Sequence, residues 1–155
     1  MLFRSVEFAD FQCPYSKEES ATVRRMLAQY GDRVRLVYRD LPIASLHPDA
    51  AQAAMAARCA GEQGKYWAYH DKLFANSPQL DFASLVRFAK ESGLDAVSFQ
   101  TCLASNRYKA EVDADAALAA RVGVEGTPTF FFNGIKVEGA VPEEVFERAI
   151  KAMSY

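Results

Sequence analysis

Phe11-Gln12-Cys13-Pro14-Tyr15-Ser16 is the stretch on which the reading of the chain turns. It follows an apolar run, Val6-Glu7-Phe8, bounded by polar Asp10 and Gln12, and that pattern predicts a strand over 2–8. It also opens a segment predicted as a helix from Pro14 to Tyr30. Pro14 suits the first helical position because its missing N–H has no intrahelical partner there anyway. Val23, Met26, Leu27 and Tyr30 fall on one helical face, and Gly31 ends the helix. Cys13 is thus placed at a helix N-terminus, where the positive end of the dipole favours a thiolate. The polar neighbours and the strand-to-helix junction point to an exposed, reactive thiol. With a cysteine at position 16 the stretch would be a Cys-x-x-Cys redox motif. Ser16 cannot form a disulfide, although its hydroxyl can donate to a neighbouring thiolate. Cys13 can therefore capture a disulfide partner but needs an outside thiol to release it.

Working outward, Val34–Arg39 reads as a second strand, so strand, helix and strand form a parallel unit with a right-handed crossover. A loop from Leu41 to His47 leads into a block with helical signals alone. These predict helices over 48–63 and 66–75, one from Phe82 capped by Asp81, one over 96–104 capped by Asp95, and one over 106–122. β structure then returns. Thr129–Phe132 and Ile135–Val137 flank Asn133-Gly134, a type I′ hairpin signal. Pro142, Glu143 and Glu144 open a last helix with Phe146, Ala149, Ile150 and Met153 on one face. The order is β-α-β, a helical insertion, then β-β-α, an α/β arrangement in which both halves share one sheet.

Composition narrows the function. A chain of 155 residues, half of them apolar, makes one domain with a substantial core. A net charge of −2 gives no footprint for nucleic acid or an anionic membrane surface. No apolar run approaches the roughly 18 to 20 residues of a membrane span. Met1-Leu2-Phe3-Arg4-Ser5 is too short for a leader, so any signal or anchor is expected outside this chain. Three cysteines, at 13, 59 and 102, allow one pair and one free thiol. Their spacing resembles no zinc site, and no metal or cofactor is called for.

Gly126-Thr127-Pro128-Thr129 is the second stretch that carries chemistry. A proline directly before a strand, preceded by a β-branched residue, is compatible with a cis bond. A cis bond would leave the Thr127 backbone able to pair with an extended chain. An ordinary trans strand start stays open on these residues alone. His47 reads as a loop or capping residue that could lie near the active-site face. His70 reads as packing or surface, Tyr66, Trp67 and Phe74 as core of the insertion, and Phe130 to Phe132 as a central strand.

Three stretches in order resemble the DsbA-like branch of the thioredoxin superfamily. They are Val6 to Tyr15, then Gly61-Glu62-Gln63-Gly64-Lys65-Tyr66-Trp67 with Tyr69-His70-Asp71, then Gly123 to Phe130. The resemblance covers nearly the whole chain. It implies a thioredoxin fold, with a core at about 1–45 and 123–155 and a helical insertion at about 46–122. It implies a cis Pro128 lying against Cys13, with Pro14, Tyr15, Thr127 and Pro128 holding the client. It also gives Glu7, beneath the active site, a role in proton transfer, since a buried carboxyl has a raised pKa. The departure from the family pattern is Ser16, either native or engineered.

Met55 and Cys59 share one helical face, and Phe99, Cys102 and Leu103 share another, so both cysteines point inward. Two unpaired core cysteines remain open on the residues alone. The resemblance suggests a Cys59–Cys102 disulfide, which would imply an oxidising, periplasmic or otherwise extracytoplasmic setting. The leading expectation is a thiol–disulfide oxidoreductase acting on cysteine-containing client polypeptides, with a recycling thiol or redox partner. The alternatives are a non-catalytic peptide-binding or chaperone module and a glutathione-dependent transferase.

Overall fold

The computed structural model describes residues 2–153. Its strands and helices run β1 (Phe3–Ala9), α1 (Pro14–Tyr30), β2 (Val34–Asp40), α2 (Ala50–Glu62), α3 (Tyr66–Asn76), α4 (Phe82–Glu91), α5 (Ala96–Ala104), α6 (Lys109–Arg121), β3 (Thr129–Phe132), β4 (Ile135–Glu138) and α7 (Glu143–Met153). The sheet order is β2-β1-β3-β4. β1 pairs parallel with β2 and antiparallel with β3, so Glu7 lies between Tyr38 and Phe130. The β3–β4 hairpin turns through Asn133 and Gly134, both at positive φ (47° and 91°), the geometry that Asn-Gly tolerates.

Side-chain alternation divides the sheet. Phe3, Phe130 and Phe132 pack with Val23 and Met26 of α1 and with Phe146 and Ile150 of α7. Phe8 on the opposite face packs with Ala119 of α6 and Val124. The insertion has a core of its own. Alanines on α2 let it approach Tyr69, Leu73 and Phe74 of α3 and Leu85 and Phe88 of α4 closely. Cys59 on α2 and Cys102 on α5 are joined at 2.06 Å across this core.

Two polar seams tie the insertion to the sheet. Arg58 of α2 donates to Asp40 Oδ2 on β2 at 2.8 Å and to Asp115 Oδ2 on α6 at 2.7 Å, and Arg39 closes the group on Asp115 Oδ1. Gln12 forms the other seam. Its Nε2 donates to Pro78 O at 2.8 Å and to Asp49 Oδ2 at 3.2 Å, and its Oε1 accepts Asp49 N–H at 2.7 Å.

Two expectations change. Trp67 is 36% exposed rather than core, with Arg24 lying over its ring. The sixth helix starts at Lys109 rather than 106, because Asn106 takes a left-handed φ of 52° that interrupts the helical path. Of the two readings of His70, packing or surface, the structure has packing: the ring is buried among Phe11, Tyr38, Trp67 and Phe74.

Candidate active site

Cys13 is the N-cap of α1, with extended backbone (φ −71°, ψ 122°) and Pro14 following it into the helix. Its N–H donates to Asp10 O at 3.1 Å, which fixes the turn between β1 and α1. Contrary to the exposed thiol expected from its neighbours, Cys13 is 5% exposed. The burial comes from the loop before β3. The Thr127–Pro128 peptide is cis, and Cys13 Sγ–H donates to Thr127 O at 3.4 Å. Among the described residues Cys13 is the free cysteine. Beside it Tyr15 is 63% exposed, an apolar ring at the mouth of the site. A surface groove runs past Thr127 and Pro128 between Glu125 and Glu138.

Ser16 is fully buried, and its Oγ accepts the N–H of Asp10 at 3.3 Å. The hydroxyl thus fills the inner position one turn into α1 and braces the turn that carries Cys13. Glu7 lies deeper, 2% exposed on the face of β1 that α1 covers, and its Oε1 has no hydrogen-bond partner among the described residues. Burial, reinforced by the nearby Glu19 carboxyl, pushes its pKa up to about 8. Glu19 of α1 accepts the N–H of Val141 with Oε2, and its Oε1 has no partner among the described residues. Burial raises it to about 7 against the opposing Val141 hydrogen bond. Two carboxyls thus share the space beneath the active-site helix, and at neutral pH Glu7 holds its proton.

Asp10 is the residue that sequence reasoning passed over. It served there as the polar end of a strand, yet it is 1% exposed and organises the site. Its Oδ1 accepts Gln12 N–H at 2.7 Å; its Oδ2 accepts Ile43 N–H at 2.8 Å and lies 2.8 Å from His47 Nδ1. Gln12, Lys17 and Ser77–Pro78 were missed as well. Lys17 Nζ donates to Ser77 O and Gln12 Nε2 to Pro78 O, both at 2.8 Å, so both carbonyls lie against the start of α1; the Ser77–Pro78 bond is cis. A Ser-Pro pair ending an apolar helix was the signal available in the sequence. Among the described residues no group of three or more acidic, His or Cys side chains could hold a metal ion.

A family model described as Thioredoxin matches residues 4–152. The chain belongs to the thioredoxin family. Within it, this thioredoxin-family chain is 34% identical to a thioredoxin-like oxidoreductase from Silicibacter pomeroyi, with a TM-score of 0.87 over 97% of this chain and 85% of that one. The thiol-disulfide exchange protein alpha-DsbA2 from Wolbachia pipientis has the same fold at 22% identity, with a TM-score of 0.87 over 98% of this chain and 82% of that one. The thioredoxin-family chain therefore has the fold of the DsbA-like thiol–disulfide oxidoreductases. A third likeness has a different context. Over 145 residues, 94% of this chain, it is 41% identical to the Na(+)/H(+) antiporter NhaA 3 of Salinispora tropica. The chain spans 22% of that relative's length. No described helix of the thioredoxin-family chain is long and apolar enough to cross a membrane.

Proposed function

We propose that the chain is a thiol–disulfide exchange protein in which Cys13 attacks a disulfide of an extended client polypeptide and holds it as a mixed disulfide. The observation that carries this reading is the free thiol of Cys13 at the N-cap of α1, 3.4 Å from the carbonyl of Thr127 in a cis Thr127–Pro128 loop. The place of Cys13 at the N-cap of α1 puts the positive end of the helix dipole beside the sulfur. The backbone of the cis loop offers the client an edge to pair with, and Tyr15 offers an apolar contact beside it. Glu7, protonated at neutral pH, is a proton source beneath the reacting sulfur. Ser16 occupies the place from which a second thiol would attack, so release depends on an outside thiol. A structural disulfide such as Cys59–Cys102 persists in an oxidising compartment, which favours an extracytoplasmic setting for this chemistry.

The test compares the chain with Ser16→Cys and Cys13→Ala in peptide oxidation and insulin reduction. Single-turnover release of a captured client without added thiol is expected to speed up on the order of 100-fold or more in Ser16→Cys, because an intramolecular thiol acts at high effective concentration and is itself oxidised to a disulfide with Cys13 as the client sulfur leaves reduced. Cys13→Ala should lose client capture on non-reducing gels altogether. Clients bound equally well by Cys13→Ala would instead make the protein a non-covalent peptide-binding module.

The likeness to an antiporter segment favours a second reading of the client. In it the chain is one module of a longer membrane-transport polypeptide and acts on cysteines of that assembly. Mass spectrometry of the species trapped on Cys13 separates a transporter cysteine from a pool of diverse secreted clients.

A further inference from the structure

Release of the client is the step that Ser16 leaves without a protein thiol, and the structure places a histidine–carboxylate pair on the residue that anchors Cys13. Asp10 accepts the N–H of Cys13 with its backbone carbonyl at 3.1 Å and meets His47 Nδ1 with Oδ2 at 2.8 Å. A carboxylate oxygen accepts, so Nδ1 carries the hydrogen and Nε2 is the ring's basic nitrogen. The carboxyl is itself locked by Gln12 N–H and Ile43 N–H, so the ring is aimed by a fixed group. Its 18% side-chain exposure leaves it open to solvent at the edge of the site. A base oriented by a buried carboxylate is the arrangement that activates nucleophiles elsewhere.

We propose that His47, oriented by Asp10, is the general base for the outside thiol that releases the client from Cys13, an inference that rests on the mixed-disulfide reading above. Burial decides which sulfur is attacked. Ser16 is fully buried, so the approach to Cys13 Sγ from within is closed, and the client sulfur stands on the outer side of the disulfide that would join it to Cys13. A small-molecule thiol R–SH gives its proton to His47 Nε2, and its sulfur attacks the client sulfur. The R–S–S–client bond forms, the Cys13–client S–S bond breaks, and Cys13 leaves as a thiolate at the N-terminus of α1. One disulfide is exchanged for another with no net oxidation, and the client departs as a mixed disulfide with the small thiol. At pH 7 a thiol of pKa about 8.5 is only about 3% ionised, so a local base can accelerate the step by at most about 30-fold.

The experiment forms the Cys13 mixed disulfide with a client peptide, then measures its release by glutathione in the unsubstituted chain, His47→Gln and His47→Ala. Glutamine keeps a donor for Asp10 and removes the base. Release is expected to slow roughly 10-fold in both variants, and far-UV circular dichroism with denaturant midpoints close to that of the unsubstituted chain shows that the variants are folded. Imidazole added to His47→Ala should restore much of the lost rate. Release by 2-nitro-5-thiobenzoate, already ionised at neutral pH, should be indifferent to either substitution. Release by glutathione at an undiminished rate in His47→Gln overturns the inference while leaving the mixed-disulfide reading intact. So does departure of the client as a free thiol with glutathione left on Cys13. Failure of the unsubstituted chain to capture the peptide overturns the function and the inference together.

Discussion

Tyr69 and Glu7 are both almost wholly buried polar side chains, and the protein treats them in opposite ways. In the insertion, the Tyr69 hydroxyl donates to Leu85 O at 2.8 Å, so its burial leaves nothing unsatisfied. In the sheet half, Glu7 Oε1 and Glu19 Oε1 have no partner among the described residues, nor have Thr127 Oγ1 beside Cys13 and the Tyr38 hydroxyl opposite Glu7. His70 Nε2 is the corresponding atom on the insertion side, and it lies where α3 meets Phe11 and Tyr38 rather than in the insertion's own centre. An unsatisfied buried polar atom costs about 1 to 3 kcal/mol, so the sheet half carries the greater load. The apolar, cross-linked insertion stabilises; the half bearing the thiol keeps protonatable groups in a dry setting, where their pKa values move.

The largest effect should come from removing the cross-link. Cys59 and Cys102 are 43 residues apart, and closing a loop of that length stabilises by about 4 kcal/mol in the chain-entropy model. The double substitution Cys59→Ala, Cys102→Ala should therefore lower the denaturant midpoint by a large fraction of total stability. Capture of a client disulfide by Cys13 should keep its rate wherever the variant is folded. A capture rate that falls in parallel with stability would show that the two halves are one mechanical unit, and would break the division of labour drawn here.

A somewhat smaller effect, opposite in kind, is expected in the sheet half. The folded pKa of Glu7 is raised to about 8 from the usual 4.5, so the native state holds its proton where the unfolded chain has lost it. Its contribution is fully present below about pH 4.5 and is lost as pH rises through about 8. Between pH 5 and 8 this amounts to roughly 3 kcal/mol of falling stability. Glu7→Gln removes that titration and should flatten the decline. Glu19, raised to about 7, titrates in the same window and accounts for what remains of the slope. Urea unfolding of both proteins across this range provides the check; an equal slope in Glu7→Gln would place the unpaired load elsewhere.

The two halves also differed in how far the sequence could be read. The fold was legible because its signals are local. Helical spacing, Asp81 and Asp95 as caps on Ser84 and Ser98, and Asn133-Gly134 as a hairpin each act over a few residues. Cys13, Ser16, Pro128 and Glu7 were legible as residue types in a familiar order. The contacts that organise them join residues far apart in the chain. Asp10 meets His47 across 37 positions and Cys13 meets Thr127 across 114, and no periodicity reports such pairs. The exposure of Cys13 was misread for the same reason, since the loop that buries it follows the whole insertion.

The smallest predicted effect concerns the join between the halves and turns on the chemistry of one amide. Gln12 offers Nε2 to Pro78 O and Asp49 Oδ2, and Oε1 to Asp49 N–H. Gln12→Ala deletes these bonds, but Asp49 N–H and Pro78 O lie close enough to the surface for water to replace the lost partner. The cost should therefore stay near about 1 kcal/mol. Gln12→Glu keeps the shape and the bond to Asp49 N–H, yet turns the donor into a second oxygen facing a carbonyl and a carboxylate. At pH 7 that substitution should cost more than alanine, by about a further 1 kcal/mol from like-charge repulsion at a partly buried site. Denaturant midpoints ordered Gln12, then Ala, then Glu would mean that the amide's donor holds the seam. Midpoints in which Glu outranks Ala would mean that side-chain packing holds it, and the insertion would then rest on the thiol-bearing half through shape rather than through hydrogen bonds.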